Sequence, residues 1–270
     1  MSGSTSSASR SSPSSTKASA SILASQIEAN LRRQRDPRRA VAEKAYLKSD
    51  LEFIGATLPA MRQMVRAITR EHPSLGRGQL LKVVSALWRR QVFETRMTAV
   101  LLLEEFQALL RPADIGVLER LLRESKTWAF VDELAIVIVG PLLQRSSHLA
   151  QRLDCWARDD DFWIRRAAML ALLRPLRRGQ GDFPRFARYA DAMLAEREFF
   201  IRKAIGWVLR ETGKRQPDVV YRWLLPRCTV ASGVTVREAV KYLSPPQRAA
   251  LLAAYRPQRR SAPVSGRAPR

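Results

Sequence analysis

Phe200-Ile201-Arg202-Lys203-Ala204-Ile205 is one copy of a unit that runs down the chain: an aromatic or aliphatic residue, an arginine, then small and apolar positions. Trp163-Ile164-Arg165-Arg166-Ala167-Ala168 precedes it, and Val236-Arg237-Glu238-Ala239 follows. Aligned on Arg165, Arg202 and Arg237, these copies lie about 35–37 residues apart. Phe93-Glu94-Thr95-Arg96-Met97-Thr98-Ala99 stands close to twice that distance before Arg165, and Phe130-Val131-Asp132-Glu133-Leu134-Ala135 falls where the intervening copy belongs. A fixed period of this size marks stacked helical hairpins, none able to bury its apolar face without neighbours. The expected fold is an all-α solenoid of hairpin repeats, with function sought on its concave face.

Helical apolar periodicity runs from Gln26 to about Tyr255. Turn chemistry interrupts it at Leu58-Pro59, His72-Pro73, Arg111-Pro112, Gly140-Pro141, Arg177-Arg178-Gly179-Gln180-Gly181 and Gln216-Pro217. Strand-type alternation is absent. Residues 1–24 are mostly Ser, Ala and Thr and read as a disordered tail, and residues 256–270 as a second tail rich in Arg and Pro. The span 25–255 is read as one repeat domain. Between the first tail and the repeats, the run Arg32, Arg33, Arg35, Arg38, Arg39 reads first as a solvated helix end.

The formal charge is +22. Seven of the cations lie in the tails (Arg10, Lys17, Arg256, Arg259, Arg260, Arg267, Arg270), which leaves about +15 on the body. An excess of that size on a folded body points to a polyanion, because neutralising phosphates releases counterions. Cys155 and Cys228 are the two cysteines and His72 and His148 the two histidines, at spacings that support neither a zinc site nor a histidine-based triad. No metal and no cofactor are expected. No run of 18 apolar residues occurs and the N-terminus lacks a signal-type apolar core, so a cytoplasmic, nucleoid-associated protein is expected.

Six tryptophans are many for a chain of this kind. Trp128 and Asp132 are four residues apart and share a helix face. The repeat register aligns that face with Trp163 and Arg166 in the next hairpin, and with Phe199, Phe200, Lys203 and Trp207 in the one after. Stacked hairpins would bring a carboxylate, a guanidinium and several indoles to neighbouring rows of one surface. Each residue has a plainer reading. A tryptophan at helical spacing is more often core, an aspartate near a helix start more often a cap, and Asp132 and Arg166 would serve equally as a structural ion pair.

The local sequence tips this balance. Leu122-Arg123-Glu124-Ser125-Lys126-Thr127-Trp128-Ala129-Phe130-Val131-Asp132 and Phe199-Phe200-Ile201-Arg202-Lys203-Ala204-Ile205-Gly206-Trp207-Val208-Leu209-Arg210-Glu211 resemble the AlkD-type DNA alkylation repair proteins. So do Ala45-Tyr46-Leu47-Lys48-Ser49, Phe53-Ile54-Gly55, Trp163-Ile164-Arg165-Arg166 and Arg237-Glu238-Ala239-Val240-Lys241, and the resemblance spans roughly Lys44 to Leu243. It implies a HEAT-like solenoid that clamps duplex DNA in a basic concave groove and acts as a monofunctional glycosylase on alkylated bases. The family's tryptophan and aspartate fall on Trp128 and Asp132, its arginine on Arg166 and its second tryptophan on Trp207. Asp132, Trp128 and Trp207 are thereby expected to be catalytic. Arg166, Arg165, Lys203, Arg202, Tyr46 and Lys48 are expected to contact DNA. Ala129 and Phe130 stand where family members often carry a further Trp or Asp, a departure that bears on lesion preference.

These residue types suit that chemistry. The lesions implied, 3-methyladenine and 7-methylguanine, are cationic bases and already good leaving groups, so no strong general acid is required and the lack of a suitable histidine is no obstacle. Breaking the bond to C1′ develops an oxocarbenium-like sugar. A preorganised carboxylate beside C1′ stabilises that charge and orients the attacking water. Indole faces attract the cationic sugar and base by about 0.5–2 kcal/mol each, and an arginine fork holds a phosphate. A surface of helix faces offers no obvious deep pocket, and the resemblance implies excision without enclosing the base, with tolerance of bulky cationic adducts. The expected partner is duplex DNA containing alkylated purines, bound by a monomer with no membrane contact. The alternatives are a non-catalytic binder of damaged or structured DNA, against which the carboxylate on a basic face argues, and a protein–protein scaffold, against which the charge argues.

Overall fold

The computed structural model describes residues 13–255, with side chains from residue 19 onward. The tail expected over 256–270 and the first twelve residues lie outside the described residues. The chain divides into two compact units, Met1–Leu149 and Ala150–Arg270, within the span read from sequence as one domain. The first carries α1 (Pro13–Arg33), α2 (Pro37–Leu47), α3 (Leu58–Glu71), α4 (Arg77–Trp88), α5 (Phe93–Glu105), α6 (Ile115–Ser125), α7 (Trp128–Glu133) and α8 (Gly140–Arg145). The second carries α9 (Ala150–Trp156), α10 (Phe162–Leu170), α11 (Leu173–Arg177), α12 (Phe183–Met193), α13 (Phe199–Gly213), α14 (Pro217–Leu224), α15 (Gly233–Ala239) and α16 (Pro245–Ala254). Among the described residues there is no strand, only an isolated bridge between Glu52 and Val92. The protein is all-α, built of packed helical hairpins.

Each copy of the repeated unit sits at the start of a helix: α5, α10, α13 and α15. Its apolar positions are core residues, among them Phe93, Trp163, Ile164, Ile201, Ala204 and Val236. Its arginine has a structural task. Arg96 Nε donates to the carbonyls of Trp88 at 2.9 Å and Arg90 at 3.2 Å. Arg165 Nη1 donates to the carbonyls of Asp159 at 2.6 Å and Asp160 at 2.9 Å. Arg202 Nε donates to the carbonyl of Glu196 at 2.6 Å. In these three copies the guanidinium satisfies carbonyls at the end of the preceding helix or in the turn after it. That local demand explains why the period is written in arginine.

Two expectations need correction. Residues 13–24 belong to α1, with Ala20 and Ala24 buried alongside Ile27 and Leu31, so the tail read over 1–24 is helical from Pro13. The turn expected at Gly140-Pro141 is absent. The helix passes from α7 through a π-helical segment, Leu134–Val139, directly into α8. Proline at position 141 removes the N–H that would reach the carbonyl of Val137. The Gln107 side-chain amide donates to that carbonyl instead, and the wider turn makes room for the ring.

Candidate active site

In the first unit the site starts from a helix with no core of its own. α2 has no buried residue, and Tyr46, near its end, is 74% exposed. Its start is fixed by Asp36, whose carboxylate accepts from the backbone N–H groups of Arg38 and Arg39 at 3.0 and 3.1 Å, with Pro37 at the first helical position. The adjoining loop is held from below. The Glu94 carboxylate, fully buried on α5, accepts from the backbone N–H of Ile54 at 3.0 Å and of Gly55 at 2.6 Å. Burial pushes the Glu94 carboxyl up from its ordinary value against the pull of those backbone donors. The Ile54 carbonyl in turn accepts from Asp36 N at 3.1 Å.

Tyr46 meets Trp128 edge to face, with ring centroids 5.9 Å apart and planes at 88°. Trp128 opens α7 after the extended Thr127. Asp132 follows one turn later, half-buried, where α7 gives way to the π-helical segment. It is the fifth residue of α7 and so does not cap it. Lys48 ends α2 in a left-handed conformation with φ 49°, and Lys126 ends α6 likewise with φ 50°.

In the second unit Arg165, besides its two carbonyls, pairs with Glu196 at 2.8 Å. Arg166 is only 3% exposed, donates through Nη1 to the Phe200 carbonyl at 2.5 Å and lies 5.8 Å from the centre of the Phe200 ring. Arg165, Arg166 and Arg202, expected to contact DNA, therefore all have intramolecular partners. Trp207 is half-buried on α13 and follows Gly206. A Cβ on Gly206 would stand 2.9 Å from the Glu238 Cβ and 3.1 Å from the Thr235 Cα, so glycine lets α15 close against α13 there. Glu238 binds Lys203 at 2.7 Å, Arg210 at 2.5 Å and Lys241 at 3.1 Å. Glu211 binds Arg177 at 2.7 Å, Lys214 at 2.8 Å and Arg210 at 3.2 Å. Two carboxylates thus fix five cations around the helix that carries Trp207.

Burial opposes the charge on Glu238, yet the hydrogen bonds from Lys203 and Lys241, with the attraction of Arg210, outweigh it and hold the carboxyl at about 2. A depressed carboxyl contributes stability that is present above its ordinary value of 4.5 and lost as pH falls through about 2. Glu238→Gln is expected to lower the unfolding free energy by about 2 kcal/mol at pH 7. The difference between the two urea curves should close between pH 4.5 and about 2. A difference that stays constant down to the acid limit would rule this account out. Glu94 and Glu238 are structural residues that sequence reading missed.

Among the described residues no group of His, Cys, Asp or Glu is arranged to hold a metal ion, and no helix is long and apolar enough to cross a membrane. Cys228 is buried and Cys155 exposed. The family model of the DNA alkylation repair enzymes matches residues 27–243. The chain belongs to that family. Among solved structures it is similar to one from Enterococcus faecalis described as a predicted DNA alkylation repair enzyme, with 22% identity and a TM-score of 0.71, over 78% of this chain and 98% of that one. AlkD2 from Streptococcus mutans is 18% identical with a TM-score of 0.54, over 77% of this chain and 99% of its own. The smu.31 protein from Streptococcus mutans UA159 is 16% identical with a TM-score of 0.55, over 85% and 100%. At these identities the likeness speaks to the fold. No curated protein matches the chain significantly.

Proposed function

We propose that the protein is a monofunctional DNA glycosylase that hydrolyses the bond between deoxyribose and a cationic N3- or N7-alkylated purine in duplex DNA. The observation that carries this reading is the Trp128–Asp132 pair on one helical run: an indole steadied by Tyr46 and a half-buried carboxylate one turn away. Membership of the DNA alkylation repair family supports repair of alkylated DNA as its role. Asp132 stabilises the sugar cation and orients water, and Trp128 offers its face to the cationic sugar and base. Lys48 contacts a backbone phosphate, while Arg165, Arg166, Arg202 and Lys203, each with an intramolecular partner, set the helices of the second unit. The leaving base departs with its own positive charge neutralised, so neither a metal nor a general acid has a part in the step.

The test uses duplex DNA with a single 7-methylguanine, in which abasic-site formation is followed under single-turnover conditions. Release of that base, and no release of uracil from a matched duplex, is the expected result, since a neutral base lacks the built-in charge that makes it leave. Tight binding of the lesion duplex with no release would instead identify a non-catalytic binder.

A further inference from the structure

A cleft of about 500 Å³ in the first unit is lined by residues that flank Tyr46 and Trp128 along the chain. Lys48, two residues after Tyr46, and Lys126, two residues before Trp128, both line it, together with Arg89 and Arg96. Asp50 and Glu124 also line it, which leaves an excess of two positive charges over these six groups. The arginine on its wall is the repeated Arg96. Arg96 is 8% exposed, and its hydrogen bonds go to the carbonyls of Trp88, Arg90 and Glu124 and to the side-chain oxygen of Gln91. Among the described residues no carboxylate forms an ion pair with it, whereas Arg165 at the same repeat position has Glu196. Burial accordingly lowers the Arg96 pKa. The Glu124 carboxylate attracts it without pairing with it, and a buried guanidinium whose hydrogen bonds all go to neutral oxygens is favoured further by an anion supplied from outside.

The two lysines add an independent sign. Both adopt the left-handed conformation at the end of a helix, a place that glycine or asparagine fills without strain. Lysine there sacrifices backbone comfort for a charge at the mouth of the cleft.

We propose that this cleft is an oxyanion site that seats one phosphodiester of the DNA backbone, held by Lys48 and Lys126 at the mouth and by Arg96 within. The assignment rests on the DNA-binding part of the function proposed above. It would fix the strand against the Tyr46–Trp128 pair without reading any base, as backbone contacts do.

The test is a titration of the full chain with inorganic phosphate at constant ionic strength, followed through the indole N–H resonances. The Trp88 ring lies 5.2 Å from the Arg96 guanidinium and is the reporter, identified by its loss in Trp88→Phe. Its resonance should move saturably in the wild-type protein and stay still in Lys48→Asn/Lys126→Asn, where asparagine retains the left-handed backbone. It should still move in Arg66→Gln/Arg70→Gln, which removes the same charge from exposed positions on α3. A Trp88 signal that never moves, or moves alike in both double variants, overturns the site. A second arm adds undamaged duplex. Duplex should displace phosphate from Trp88, and the slope of log affinity against log salt should be shallower by about 0.9 in Lys48→Asn/Lys126→Asn. Phosphate that binds at Trp88 but is not displaced would overturn the backbone assignment in favour of a free phosphate ligand. Because this duplex carries no lesion, the result stands apart from whether base release is observed.

Discussion

An Asp132→Asn variant is expected to release 7-methylguanine from duplex DNA about 10²–10³-fold more slowly than the wild-type protein, the loss typical of deleting one preorganised group that faces charge developing in a transition state. Asparagine keeps the size and hydrogen-bonding reach of the side chain but removes the negative charge, so the fold of α7 and the edge-to-face contact of Tyr46 with Trp128 should be undisturbed. Duplex affinity should hold or rise, because a carboxylate on a basic body repels phosphate. Single-turnover release and equilibrium binding, measured on the same duplex, separate the two effects. Equal release rates for variant and wild type would remove Asp132 from the chemistry. A parallel fall in rate and affinity would make it a residue of the binding surface alone.

How far such a site is legible in the sequence depends on how far away each residue's partner lies. Trp128 and Asp132 are one helical turn apart, so spacing alone placed them on a shared face. The arginine repeat was legible for the same reason: Arg96, Arg165 and Arg202 reach carbonyls only five to eight residues upstream, within their own hairpin. Pro141 was misread because the group that excuses it, Gln107, lies 30 residues from the carbonyl it serves. Glu238 and Glu94 escaped notice for the same cause: apart from Lys241, their partners lie 28 to 40 residues away. The start of α1 was open to a closer reading. Ala20, Ala24, Ile27 and Leu31 form a buried stripe at helical spacing, hidden by a Ser- and Ala-rich composition that resembles a tail.

Disconnecting α2 from the body of the first unit is expected to have the second large effect. That helix buries none of its own residues, so it depends on the loop that Glu94 holds. Glu94→Ala would strand two backbone N–H groups, those of Ile54 and Gly55, and is expected to cost about 2–5 kcal/mol in unfolding free energy. Glu94→Gln retains one acceptor oxygen and should fall between the alanine variant and wild type. Gly55→Ala attacks the same joint from the other side. Gly55 has φ +86°, and a Cβ there would stand 2.1 Å from the Asp36 carbonyl oxygen, closer than any packing allows. The carbonyl at risk also accepts from Ala40 N at 2.9 Å, in the first turn of α2. The chain must therefore move α2 rather than adjust a side chain. In both Glu94→Ala and Gly55→Ala, hydrogen exchange should accelerate across Pro37–Leu47 more than across α7. Base release should fall with it, because Tyr46 no longer steadies Trp128. Protection of α2 that survives both substitutions would show that the helix is held by something other than the Glu94 loop.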